Sequence, residues 1–449
     1  METIAAISTP NAPGGIGVIR ISGEKALVLA DSVFVSAGNK VPSCMAGYTC
    51  AYGYIQDENG NHVDDVVLTV FRSPHSYTGE DVVEISCHGG IFICQKIVSL
   101  LFSKGASPAA PGEFTKRAFL NGKMNLSQAE AVMHTIQAQG EVALREANLA
   151  KNGRLSNEMR RCRDRLTALI SAMSYWMDDA EETPDELAPQ RLCAEITALL
   201  DTLHQLSRRY DDGRIYRSGI RTALMGAPNA GKSSVMNWLA GMQRSIVTDI
   251  PGTTRDVITE SVRLGDFLLL LSDTAGLRQT GDVIEAMGVD AAYEQAKQAD
   301  LILYVVDSCV GMTENDRAFL TADILKKTVI IYNKSDASNV ENQSQEMNGV
   351  ICSAKYGKGY DALVDAIAAH FVGRAALNQP ALVSQRQKSL VDRAACSIQW
   401  ALNGLECGET IDICCMELED AANILAEFDG ENVTDDIIDG VFSRFCVGK

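Results

Sequence analysis

The sequence predicts three parts. These are an α+β domain over 1–120, an all-α helical domain, and an α/β unit over 217–374 that interrupts the helical domain and divides it into 121–216 and 375–449. Three changes of hydrophobic rhythm carry this reading. Short strand-like runs separated by turn clusters come first. Long stretches with apolar residues at helical spacing begin near Asn125. Near Arg217 apolar strands start to alternate with helices, and after about Arg374 helices resume.

In the first part, "GVIRISG", "DVVLTVFRS" and "DVVEISCHGG" alternate apolar and polar residues or read as buried strands. "GGIG" and "SPHSYTGED" read as loops, and "GIFICQKIVSLLFSKG" as an amphipathic helix packed on the sheet. "LSQAEAVMHTIQAQGEVALREANLAKN" and "EMRRCRDRLTALISAMSYWMDDAEE" read as long helices. In the interrupting unit, "GIRTALMG", "DFLLLLSDTAG", "DLILYVVD", "TVIIYNKSD" and "GVICSAK" are expected to be strands of a parallel sheet with helices on both faces. The two helical halves are expected to pack together.

Composition narrows the function. A chain of 449 residues has room for two to four domains, and 46% hydrophobic with 22% charged residues is ordinary for a globular protein. A net charge of −18 argues against gripping nucleic acid unaided, because phosphate contacts need a basic surface. The 13 cysteines form no C-x-x-C pair, which disfavours structural zinc and a secreted disulfide framework. The opening "METIAAISTPNAPGG" lacks the basic and apolar regions of a signal peptide. No apolar run reaches the ~18 residues of a membrane helix. The expectation is a reduced, cytoplasmic protein without a membrane span.

"GAPNAGKSS", from Gly226 to Ser234, fits G-x-x-x-x-G-K-[ST] and lies between a strand and a helix. Gly226 and Gly231 let backbone N–H groups turn inward around phosphates, and the helix N-terminus adds its positive dipole end. Lys232 puts a charge on the outer phosphates, and Ser233 can ligate Mg²⁺. "DTAG" closes a later strand, where Asp273 can hold Mg²⁺ through water and the Gly276 N–H can meet the γ-phosphate. In "NKSD" the Asp336 carboxylate can accept both N–H bonds of the guanine edge. Adenine would leave that carboxylate unpaired, at a cost of about 1–3 kcal/mol. "SAK", from Ser353 to Lys355, offers a backbone N–H to the guanine oxygen. All these motifs fall at strand ends on one edge of the sheet, which predicts a GTP site and a Ras-like G domain. Hydrolysis also needs a cation beside the developing charge and a group that places water. The position after DTAG is Leu277, which cannot orient water. "TDIPGTTRD" offers Thr254 as a second Mg²⁺ ligand, and Arg255 reads either as a finger in cis or as an ion-pair partner.

The stretches "GAPNAGKSS", "TDIPGTTRD", "DTAGLR", "NKSD" and "SAK" resemble the MnmE (TrmE) family of tRNA-modification GTPases. Outside the G domain "GGIGVIRISG", "SYTGEDVVEISCHGG", "PGEFTKRAFLNGKMNLSQAEAV" and the closing "FCVGK" match it too, so the resemblance spans essentially the whole chain. It implies activation by K⁺ and by dimerisation of G domains, without an arginine finger. Asn229 is then a K⁺ ligand, with Thr248, Ile250 and Thr253 adding oxygens, largely from backbone carbonyls. Glu285, in "VIEAMG", matches the family's water-orienting acid; taken alone it reads as a solvated loop charge. Motifs and resemblance together give a GTP-binding set. It comprises Asn229, Ala230, Gly231, Lys232, Ser233 and Ser234, then Thr248, Asp249, Ile250, Pro251, Gly252, Thr253 and Thr254. It continues with Asp273, Thr274, Ala275 and Gly276, then Asn333, Lys334 and Asp336, and ends with Ser353, Ala354 and Lys355.

The resemblance further implies that the first domain binds a tetrahydrofolate, as 5-formyl- or methylene-tetrahydrofolate, through Arg20, Glu84, Lys123 and Lys449. A carboxylate suits the pterin's amide and amino edge, and cations suit the glutamate tail. Read from the residues alone, Arg20 and Glu84 fit a structural ion pair. The closing "CVGK" superficially fits a prenylation box, but Lys is atypical at its last position and no polybasic run flanks it. Phe442 and Phe445 argue instead for a docked tail. The family's tail reaches the folate site, which makes Cys446 a candidate reactive thiol; Val447 stands where Ile is usual.

The implied function is formation of a 5-aminomethyl or 5-carboxymethylaminomethyl group on the tRNA wobble uridine. The implied assembly is a homodimer joined through the first domain, in a heterotetramer with the flavoprotein MnmG (GidA). FAD and NADH belong to that partner, which also supplies most tRNA contacts. Two other classes share the G motifs: a regulatory or ribosome-assembly GTPase without one-carbon chemistry, and a stand-alone folate-dependent methyltransferase with a regulatory G domain.

Overall fold

The structure is a computed structural model that describes residues 1–178, 189–242, 260–272, 293–337, 349–371 and 379–449. The chain divides into two compact units. The first comprises Met1–Met133, Ala150–Asp201 and Ser384–Lys449, and the second His134–Leu149 and Thr202–Val383.

The first unit begins with strands β1 (Ile4–Ile7), β2 (Ile16–Ser22), β3 (Phe34–Ser36), β4 (Thr49–Gln56), β5 (His62–Phe71), β6 (Val82–His88) and β7 (Ser107–Pro108). They form one sheet in the order β3-β4-β5-β6-β2-β1-β7. Every neighbouring pair is antiparallel except β1 with β7. Helices α1 (Ala26–Val33) and α2 (Ile91–Ser103) cover one face, where Ile19, Ile21, Leu68, Ile85, Ile97 and Leu101 form the core. Alternation along β2 sends Ile19 and Ile21 inward and leaves Arg20 on the other face, directly opposite Glu84 of β6.

After α3 (Glu113–Leu120) the chain becomes helical: α4 (Leu126–Gln137), α5 (Glu141–Lys151), α6 (Arg154–Asp178) and α7 (Pro189–Ser218). Three helices follow the interruption, Gln385–Cys407, Ile411–Ala426 and Asp435–Phe442. On α6 the buried residues Leu155, Met159, Cys162, Leu166 and Met173 recur at helical spacing, and α6 packs along Ile411–Ala426. The helical halves on either side of the interruption therefore do meet. The stretch expected as one helix from Leu126 to Asn152 is two, because the chain breaks before Gly140. A Cβ at Gly140 would stand 2.4 Å from the Asp266 carbonyl oxygen, so only glycine fits this approach.

The second unit is built on β8 (Ile220–Met225), β9 (Glu260–Leu264), β10 (Phe267–Ser272), β11 (Leu301–Asp307), β12 (Thr328–Asn333) and β13 (Gly349–Ile351). Their order is β13-β12-β11-β8-β10-β9, the arrangement of a Ras-like sheet. All neighbours are parallel except the edge strand β9, which the strand-helix rhythm did not anticipate. Alternate residues of each central strand enter different cores. Leu301, Leu303 and Val305 pack with Leu239 of α8 (Lys232–Met242) and with Leu363 and Ile367. Ile302, Tyr304 and Val306 pack with Ala296, Leu320 and Ile324. A sheet covered on both faces is why these strands are nearly unbroken apolar runs.

Candidate functional site

The structure gathers sequence-predicted residues at two places, one in each unit.

In the second unit the turn after β8 carries Gly226 at φ 137°, Asn229 at φ 63° and Gly231 at φ 97°, and α8 starts at Lys232. A Cβ at Gly226 would meet the Val305 carbonyl oxygen at 2.1 Å, and one at Gly231 would meet Asn333 Nδ2 at 2.3 Å. Both glycines are therefore fixed by packing as well as by φ. The Lys232 amine lies across the loop and donates to the carbonyls of Gly226 and Ala227, each at 2.8 Å. Burial holds its pKa below the ordinary lysine range. Ala230 is buried, while Ser233 and Ser234 are exposed at the start of α8.

Asn333 ties three segments together. Its Nδ2 donates to the Ala230 carbonyl at 3.3 Å, its Oδ1 accepts from the Ala354 N–H at 3.1 Å, and its carbonyl accepts from the Ser308 N–H at 2.9 Å. Lys334, at φ 65°, donates from Nζ to the Asn229 carbonyl at 2.8 Å and to Asp307 Oδ2 at 2.6 Å. Asp336 Oδ1 accepts from Ser353 Oγ at 2.6 Å, and that bond holds the carboxyl below its usual range. Lys355 lies over the Tyr356 ring at 5.0 Å. The P-loop, the Asn333–Asp336 turn and the Ser353–Lys355 turn thus converge at the ends of parallel strands. Thr248, Asp249, Ile250, Pro251, Gly252, Thr253, Thr254, Asp273, Thr274, Ala275, Gly276 and Glu285 lie outside the described residues.

In the first unit Arg20 donates from Nε to Glu84 Oε1 at 2.9 Å, and its Nη2 lies 2.7 Å from the same oxygen. The ion pair expected from the residues alone is present. The guanidinium has further neighbours: its carbon lies 5.5 Å from the centre of the Tyr77 ring and 5.6 Å from that of Phe114. Phe114 is fully buried, and the Tyr77 hydroxyl pairs with Thr115 Oγ1 at 2.9 Å. Sequence reasoning missed both rings, although Tyr77 sits in the quoted "SYTGED" stretch and was available as an aromatic beside a cation.

The closing residues are docked here. Arg20 Nη1 donates to the Gly448 carbonyl at 3.4 Å, and Ser8 Oγ donates to the same oxygen at 3.1 Å. The Phe114 N–H donates to the Lys449 carbonyl at 3.2 Å, and Phe445 packs with Phe442 and Leu126. Burial lowers the Lys449 amine's pKa, and Arg20 lowers it further. Cys446 is exposed, and its carbonyl accepts from the Gly112 N–H at 3.4 Å. Lys123 bonds elsewhere: its Nζ donates to the Pro74 carbonyl at 3.0 Å. No hydrogen bond among the described residues joins it to the Arg20–Glu84 pair.

Comparison with known proteins adds two family models. That of the GTP-binding protein TrmE N-terminus matches residues 3–123, and that of the MnmE helical domain matches residues 126–446. A tRNA modification GTPase MnmE of Acetivibrio thermocellus is 39% identical over 458 residues, covering 100% of this chain and 99% of that protein. One of Chloroflexus aurantiacus is 40% identical over 456 residues, covering 100% of both. One of Clostridioides difficile is 39% identical over 456 residues, covering 100% of this chain and 99% of its own.

Proposed function

The chain belongs to the MnmE family of tRNA modification GTPases, and on that premise we propose that it hydrolyses GTP to drive a folate-dependent modification of the tRNA wobble uridine. The observation that carries the nucleotide half is the hydrogen-bonded convergence of Asn229–Lys232, Asn333–Asp336 and Ser353–Ala354 at one end of a parallel sheet. The inward-turned backbone from Gly226 to Gly231 and the N-terminus of α8 hold the phosphates, and Lys232 adds charge to the outer ones. Asp336, oriented by Ser353, accepts from the guanine edge. The exposed hydroxyl of Ser233 at the first turn of α8 suits a hard cation, and Mg²⁺ would be held there with Thr254. Asn229 would hold K⁺ with Thr248, Ile250 and Thr253. Bound K⁺ supplies the positive charge that an arginine finger supplies in other GTPases. Glu285 would orient the attacking water, Asp273 would hold Mg²⁺ through water, and the Gly276 N–H would meet the γ-phosphate, with Thr274 and Ala275 completing that GTP-binding stretch.

The Arg20–Glu84 pair, the Tyr77 and Phe114 rings and the Lys449 amine offer a cation, an anion and flat apolar walls. That set fits a pterin with an anionic tail. A tetrahydrofolate would be held by Arg20, Glu84 and Lys449, with Lys123 joining them only if its amine leaves the Pro74 carbonyl, and would supply a one-carbon unit. Cys446, exposed in the docked tail, is the candidate reactive thiol. The functional division follows the sequence: folate binding and dimerisation over 1–120, a helical arm over 121–216 and 375–449, and the GTPase over 217–374. The assembly is a cytoplasmic homodimer with the flavoprotein MnmG, which carries FAD and NADH and most tRNA contacts, in keeping with a net charge of −18. Among the described residues no helix is long and apolar enough to cross a membrane.

The test is GTP turnover in K⁺ against Na⁺ buffer, with sedimentation in GDP and aluminium fluoride. At least tenfold faster turnover in K⁺ is expected, with a faster-sedimenting, closed form of the dimer only when K⁺ is present. Equal turnover in the two salts would remove the cation from the mechanism. Retention of 5-formyltetrahydrofolate, lost in Arg20→Ala, tests the other half.

A further inference from the structure

We propose that Asp307 is a positioning residue for guanine-nucleotide binding: through Lys334 it holds the backbone of Asn229 in the conformation the P-loop uses. The inference rests on the GTPase reading of the second unit and adds to it a residue that none of the nucleotide motifs contains.

Asp307 ends β11 in register with Asn333, which ends the parallel neighbour β12. The carboxylate therefore emerges beside the Asn333–Asp336 turn, and the Ser308 N–H donates to the Asn333 carbonyl at 2.9 Å. One carboxylate oxygen accepts from the Cys309 N–H at 2.9 Å, which fixes the group's orientation. The other accepts from Lys334 Nζ at 2.6 Å, and the same ammonium donates to the Asn229 carbonyl at 2.8 Å. Lys334 and Asn229 both have positive φ, at 65° and 63°. A non-glycine residue adopts that region at about 1–2 kcal/mol and needs its surroundings to keep it there. An ammonium bridging a carboxylate on β11 and a carbonyl of the phosphate loop does this for both residues at once. A solvated pair would be worth little. Asp307, however, has only 19% of its side chain exposed, and Lys334 is shared with a third group. Loss of the carboxylate frees the ammonium and leaves the Asn229 carbonyl without a steady partner, so that of the two ties between the guanine turn and the phosphate loop only the Asn333–Ala230 bond is held in place.

The test measures the dissociation constant of full-length protein for N-methylanthraniloyl-GDP, together with KM and kcat for GTP. Asp307→Ala should weaken GDP about tenfold. Asp307→Asn keeps the side chain's size and an acceptor for only one of the two bonds, and should weaken it about threefold, which keeps the test open if the alanine variant fails to fold. The double variant Asp307→Ala/Lys334→Ala should lie within about twofold of Lys334→Ala, because both residues act through one bridge. KM should rise by a larger factor than kcat falls, a split that general unfolding does not produce. If unsubstituted protein binds GDP while Asp307→Ala binds it equally well, or if the two single losses multiply in the double variant, the proposal is overturned and the GTPase reading survives. If unsubstituted protein binds no GDP, both fall.

Discussion

Gly448 shows how much of a site can hang on one hydrogen atom. Its φ is 92°, and a Cβ there would lie 2.4 Å from the Ile7 carbonyl oxygen and 2.8 Å from the Ser8 Cα. Backbone cannot yield as a flexible side chain does, so alanine must lift the last residues off β1. Lifting them breaks the contacts of the Gly448 carbonyl with Arg20 and Ser8 and removes the Lys449 carbonyl from the Phe114 N–H. Gly448→Ala should therefore speed hydrogen exchange at the Phe114 amide at least tenfold while leaving amides of β5 unchanged. An unaltered Phe114 rate would mean that the tail is held by its phenylalanines alone. At this scale the sequence was only partly legible. Phe442 and Phe445 foretold a docked tail, but nothing in a string of letters marks which carbonyl lies behind a glycine.

At the scale of elements, a buried polar node joins α4 to the helix Gln385–Cys407. Glu130 accepts from Arg386 Nε at 3.0 Å and from Nη2 at 2.9 Å, and also from Gln387 and Ser384. Arg386 continues to the carbonyls of Glu427 and Phe428, each at 3.1 Å. Only 7% of the Glu130 side chain and 19% of Arg386 are exposed. Removing one partner leaves a charge out of water without its counter-ion, at a cost of about 3–5 kcal/mol, whereas replacing both with apolar groups costs far less. Urea unfolding followed on the helical transition should show Glu130→Ala losing at least twice the stability lost by Glu130→Leu/Arg386→Met. A milder loss in the single variant would show that the node is screened by water. Elements with a strong period were legible: the nearly unbroken apolar runs of β10, β11 and β12 are what a doubly covered parallel sheet requires. Elements set by their neighbours were not. β7 is two residues long, β9 is an edge strand whose pairing with β10 supplies its reason to exist, and the break before Gly140 is dictated by a distant carbonyl. The same limit applied to the sites. Spacing alone exposed Asn229–Ser234 and Asn333–Asp336, while the Tyr77 and Phe114 rings beside Arg20 are neighbours that only the fold supplies.

At the scale of the molecule, the two candidate sites lie in units with separate cores. The Arg20–Glu84 wall and the docked tail draw on Met1–Met133 and Ser384–Lys449, and the P-loop and its partners on Thr202–Val383. Among the described residues, the hydrogen bonds named at each site join residues of a single unit. A lesion at one site should then spare ligand binding at the other and still abolish any process that needs both. Lys232→Ala removes the amine that lies across the phosphate loop and donates to Gly226 and Ala227. It should lower GTP turnover by at least a hundredfold, on the order of one transition-state charge contact, and abolish tRNA modification in a reaction supplemented with the proposed flavoprotein partner. The same variant should keep 5-formyltetrahydrofolate binding within about twofold of the unsubstituted protein, as expected of independent sites. Isothermal titration with the folate measures this directly. A parallel loss of folate binding would mean that the two sites share an obligatory conformation. Retained modification without GTP turnover would instead reduce the second unit to an accessory.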